Sequence, residues 1–200
     1  MHYRTQRVSR QLDISNLEVE IFGASSGNLF FFFHCSKRHL ENSMTTETPT
    51  IKSLATVRVL SLRSVLPNYR AQGGLWEKIF GFAKTHDVVV TGATFAINYT
   101  KDDRQTDVEV EVCLPIADDA QIPEEAPFSV REVPAVDRAA VMVYTGPCEG
   151  YMSAYQTFFG WIHSGKLTPA GPSREVYVKR PTGNEEEDQD SVTEIQLPVA

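Results

Sequence analysis

The chain has 200 residues, 42% of them hydrophobic and 22% charged, with a formal net charge of −7, which describes one ordinary globular unit or two small ones. The most conspicuous apolar run, Leu29 to Phe33, is far short of the roughly 20 residues that a membrane-spanning helix needs, and no small-residue cleavage site follows it. Residues 44–200 hold 14 Lys and Arg against 22 Asp and Glu, so the basic surface that phosphate neutralisation requires is missing and direct nucleic-acid binding is not expected.

Residues 1–43 carry no sustained hydrophobic period and end just before the "MTTETPT" that opens at Met44. A disordered extension is the expectation for them, with no helix-turn-helix that can be drawn. The three cysteines, Cys35, Cys113 and Cys148, form no CxxC pair and no disulfide framework, which suits a reducing, cytoplasmic setting. "HCSKRH" at 34–39 lacks the further ligands a metal site needs, so neither a metal nor a cofactor is expected.

From Ile51 the chain repeats itself. A shift of 79 aligns residues 51–62 with 130–141, "WEKIFGF" (76–82) with "YQTFFGW" (155–161) and Gly92 with Gly171; a shift of 83 then lays "DVEVEVCLPI" (107–116) on "DSVTEIQLPV" (190–199). Copy one spans 51–116 and copy two 130–199, with the acidic "ADDAQIPEEAP" between them.

Each copy reads strand, helix, strand, strand. Val57, Val59 and Leu62 in one copy, and Val136 to Val143 in the other, alternate as strands do. Leu75, Trp76, Ile79, Phe80 and Ala83, and Tyr151, Ala154, Tyr155, Phe158, Phe159 and Ile162, recur at helical spacing. Gly81 and Gly160 fall inside these helices, where glycine costs about 1 kcal/mol against alanine, and a close helix-to-sheet approach is the expected compensation. Strands at 94–100 with 106–114 and at 173–179 with 190–197 form hairpins, the second closed by a solvated "EEED" tip. A unit of about 65 residues buries little surface alone. The fold class that follows is α+β: two strand-helix-strand-strand units sharing one antiparallel curved sheet, helices on one face.

In "GPSREVYVKRP" (171–181) alternation puts Val176 and Val178 on one face and Glu175, Tyr177 and Lys179 on the other. The valine face is assigned to the helices, so Glu175 and Tyr177 are expected to look out from the opposite, concave face. Their counterparts in copy one are Ala96 and Asn98. Glu111 and Glu194 are expected to face away from the helices too, giving a broad acidic concavity. A carboxylate withdrawn from water costs several kcal/mol unless paired, hydrogen-bonded or protonated, and that cost attracts a cation. Aromatic faces add about 0.5–2 kcal/mol each for a cation; Tyr144 and Trp161 are candidate walls, while Phe159 and Tyr155 read as core. The candidate ligand-binding set is Glu175, Tyr177, Tyr144, Trp161, Glu111 and Asn98.

The pattern "YTGPCEGYMSAYQTFFGWI…GPSREVYVKRP…TEIQLP" resembles the gyrase-inhibitor-like effector-binding domains, ligand-sensing modules of multidrug-responsive bacterial regulators, over about 51–199. The resemblance implies a duplicated fold around a drug pocket whose central acid matches Glu175, with Tyr177 two residues along. "RSVLPNYRAQGG" replaces the "GPY"-like turn usual in copy one, and a stand-alone domain without a DNA-binding region is the expectation. The expected activity is binding of a bulky aromatic cation. Two alternatives remain: hydrolysis of electrophilic compounds with Glu175 as general acid or base, and inhibition of a protein partner.

Overall fold

The computed structural model describes residues 44–100, 104–182 and 188–200. The expectations for residues 1–43, for Cys35 and for most of the "EEED" tip lie outside the described residues.

Among the described residues the chain forms nine strands and two α-helices. These are β1 (Thr45–Thr46), β2 (Thr50–Leu54), β3 (Val57–Leu66), α1 (Gly73–Thr85), β4 (Phe95–Asn98) and β5 (Val108–Pro115), then β6 (Phe128–Val133), β7 (Val136–Thr145), α2 (Tyr151–Ser164), β8 (Ser173–Lys179) and β9 (Val192–Pro198). All strands join one open, curved antiparallel sheet in the order β1-β7-β9-β8-β4-β5-β3-β6, with β2 also on β7. No helix among the described residues is long and apolar enough to cross a membrane.

The duplication is written into the register. Ala96 pairs with Val112 and, in copy two, Glu175 pairs with Ile195; Val90 bridges Ile116 as Pro169 bridges Val199. The buried helical residues Leu75, Ile79 and Ala83 correspond to Ala154, Phe158 and Ile162 at the same shift of 79. Each copy carries one strand more than its sequence grammar suggests. β2 of copy one pairs with β7 of copy two, and β6 of copy two pairs with β3 of copy one, so the copies exchange their leading strands. The two halves meet at β4 and β8, where Ala96 faces Glu175. That pair is its own image under the repeat, so the approximate twofold axis passes between these two residues.

Both helices lie on one face. α1 covers Leu60, Leu62, Ala96, Val110, Val112 and Leu114, and α2 covers Ala140, Met142, Ile195 and Leu197. On the other face Val59, Phe95, Ile97, Cys113 and Val133 form a second apolar cluster, joined by Val176. Gly81 and Gly160 correct an expectation: both are exposed, and a Cβ on either would meet nothing within 4 Å, so no close packing compensates them.

Candidate functional site

β8 sets its side chains by simple alternation, and the structure inverts the expected faces. Val176 packs into the far-side cluster with Phe95 and Ile97, and Val178 is 62% exposed. Tyr177 is buried against Trp76 of α1, their rings edge-on at 5.7 Å, and Glu175 points at α2. The physical reason is that the sheet is apolar on both sides at its centre, so the valines had a hydrophobic home away from the helices.

Both carboxylate oxygens of Glu175 are held by phenols. Tyr155 donates to Oε1 at 2.6 Å and Tyr177 to Oε2 at 3.0 Å, while Gln72 Nε2, from the turn before α1, donates to the Tyr177 hydroxyl at 3.1 Å. Tyr155 and Trp76 occupy matching positions of α2 and α1, as do Phe159 and Phe80, so the duplication sets one aromatic pair on each side of the axis. Nearby, Tyr69 and Asn98 exchange hydrogen bonds at 3.1 and 2.9 Å, and the Tyr151 and Thr193 hydroxyls meet at 2.7 Å.

Glu175 is half-buried, keeping part of its surface accessible between β8 and α2. Burial pushes its carboxyl above the usual carboxylate range, and the hydrogen bonds from Tyr155 and Tyr177 only partly offset this. Tyr155 and Tyr177 are themselves raised well above the normal phenol value, by burial first and then by the charge of Glu175, so they act as donors at neutral pH. Among the described residues no Lys, Arg or His forms an ion pair with Glu175. An acid held this way can accept a cationic group or hold a proton.

The other sequence candidates separate. Asn98 lies on the same face as Ala96 and Glu175, in the Tyr69 pair. Tyr144 is locked into the turn before α2. Its hydroxyl donates to the Pro147 carbonyl at 2.6 Å, its ring meets Tyr151 edge-on, and a Cβ at Gly150 would collide with that hydroxyl. Trp161 packs on the α2 core about 120° round the helix from Tyr155, on the opposite flank from Glu175.

Glu111 lies on the far face. Arg131 holds it at 2.8 Å (Nε to Oε1) and 2.5 Å (Nη2 to Oε2), and Tyr99 donates to Oε2 at 2.8 Å. Burial acts to raise Glu111, but Arg131, then Tyr99 and Ser61, bring it below the ordinary range. Glu194, also turned from the helices, pairs with Lys52 at 3.3 Å. The expected broad acidic concavity is therefore corrected: Glu111 and Glu194 are on the opposite side of the sheet from Glu175 and already have cations.

Trp76, Gln72 and Tyr69 were missed by sequence reasoning. The alignment of "WEKIFGF" with "YQTFFGW" pairs Trp76 with Tyr155, and that was the available signal.

No curated protein matches the chain. Among solved structures, the C-terminal domain of EcmrR superposes with a TM-score of 0.68 at 22% identity, over 76% of this chain and 97% of that one. In the EcmrR–DNA complex the TM-score is 0.67 at 21% identity over 76% of this chain, which spans only 57% of that chain's length. SAV2435, in a structure bound to tetraphenylphosphonium, gives 0.53 at 14% identity over 77% and 94% of the two chains. A Listeria innocua hydrolase gives 0.53 at 10% identity over 76% and 91%. At these identities the likeness establishes the fold. A family model, the GyrI-like small molecule binding domain, matches residues 47–200, and together with the duplicated sheet it places this chain in the GyrI-like small-molecule-binding family.

Proposed function

We propose that the domain binds bulky aromatic cations at Glu175, with the charge neutralised by that carboxylate and the rings stacked among Tyr155, Tyr177 and Trp76. The observation that carries this reading is the carboxylate with two phenol donors and no basic partner among the described residues. An organic cation relieves the desolvation of the acid and gains about 0.5–2 kcal/mol from each aromatic face. Asn98, Tyr69 and Gln72 form the polar rim, and Tyr144, Trp161 and Glu111 drop out of the binding set. The reading places the protein in the cytoplasm, in keeping with its free Cys113 and Cys148.

Calorimetric titration with tetraphenylphosphonium tests it. The parent protein is expected to bind one equivalent, and Glu175→Gln to bind at least about tenfold more weakly, a loss of about 1.4 kcal/mol. Affinity should also rise with pH through the raised value of Glu175, because only the ionised form attracts the cation, and this dependence should vanish in the variant. Equal affinity for both proteins ends the reading.

A further inference from the structure

We propose that the hollow on the far face of the sheet is a second ligand site, taking monoanionic organic acids with an apolar body through Arg174. The hollow has a volume of about 460 Å³ and is walled by Ile97, Val133, Pro134, Pro172 and Pro198, with Arg174 among its lining residues. That size falls within the roughly 300–1,000 Å³ of small-molecule pockets. It lies on the side opposite Glu175, because Arg174 and Glu175 are consecutive in a strand and point to opposite faces.

Arg174 is 8% exposed, so most of its surface, its Nε included, is withdrawn from water. Nη2 donates to the Pro134 carbonyl at 3.3 Å, Nε is buried with no hydrogen-bond partner, and no carboxylate among the described residues pairs with it. A buried guanidinium left without an anion is costly, and a carboxylate is the group whose planar pair of oxygens fits its fork. Arg131 lines the same hollow but is already saturated by Glu111 and Tyr99. Of the charged groups at the exposed rim, Arg138 favours anions, whereas Asp137 opposes a dianion and so selects a single charge. The apolar walls then require a hydrophobic body rather than a small inorganic ion.

Titration calorimetry with 1-naphthoate, and with the neutral 1-naphthalenemethanol, tests the assignment on the full chain. Naphthoate should bind saturably, and the neutral alcohol at least about tenfold more weakly. Arg174→Met should lose about tenfold or more in naphthoate affinity, and Ala135→Trp, which fills the hollow from an exposed lining position and keeps Arg174, should lose as much. Glu175→Gln should bind naphthoate as the parent does, so failure here and failure of cation binding are separate results. If Arg174→Met does not fold, Ala135→Trp decides. The site is overturned if naphthoate does not bind at millimolar concentration, if Ala135→Trp binds it as the parent does, or if Glu175→Gln weakens it as much as Arg174→Met.

Discussion

Glu111 and Glu175 stand two strands apart in one sheet, and both are drawn well away from bulk water, yet they meet opposite surroundings. Glu111 looks away from the helices and finds the Arg131 guanidinium fork and the Tyr99 hydroxyl. Glu175 looks toward them and, among the described residues, finds only the hydroxyls of Tyr155 and Tyr177. Burial raises the proton affinity of both, and in Glu111 the arginine reverses the sign. A carboxylate already neutralised contributes to the fold and has little left to offer a ligand. One stabilised by neutral donors alone keeps an unmet electrostatic demand.

The sharpest way to break this contrast is to make Glu111 resemble Glu175. Arg131→Met should destabilise the protein by about 3 kcal/mol at neutral pH, because it leaves a buried acid without its cation. Glu111 has a depressed folded-state value, so its contribution is present above the ordinary carboxylate range and is lost as pH falls through the folded value. Urea denaturation should therefore show the difference between parent and variant shrinking in acid, and a loss that does not change with pH contradicts the ion-pair account.

Tyr155→Phe sharpens the comparison from the other side. Removing the 2.6 Å donor from Glu175 should cost about 2 kcal/mol at neutral pH. It should also move the Glu175 titration, followed by NMR of its side-chain carboxyl carbon, further upward. A titration that stays in place means the phenol is not holding the ionised form.

The smallest effect belongs to Glu175→Gln. Because the folded-state value is raised, any stability that Glu175 contributes is present below the unfolded carboxylate value and is lost as pH rises through the folded one. At neutral pH the variant should match the parent or gain about 1 kcal/mol in the thermal or urea midpoint. A clear loss shows that the carboxylate is structural after all.

The repeat, the two helices and the two hairpins were legible in the sequence because hydrophobic period and spacing survive the divergence of the copies. The exchange of β2 and β6 was not, since which strand pairs with which is decided by contacts distant in sequence. The orientation of β8 was misread for a different reason. Alternation separates Glu175 and Tyr177 from Val176 and Val178, but it names the covered face only when one side of a sheet is wet. Here Phe95, Ile97 and Cys113 give the far side an apolar cluster of its own beside β8. Tyr155 read as core because it recurs at helical spacing with Ala154, Phe158 and Phe159; that its hydroxyl ends on a carboxylate needs three dimensions. Tyr144 and Trp161 are aromatic and near in sequence, but the bond to the Pro147 carbonyl and the far flank of α2 hold them elsewhere.

The pairing of Ala96 with Glu175 across the axis limits what the two copies could remain. Identical halves would set two like charges face to face at the seam, and alanine at position 96 avoids that repulsion. Under the proposed cation reading that seam holds one acid instead of two, and a guest bound there would touch both halves at once, acting as a clasp between them.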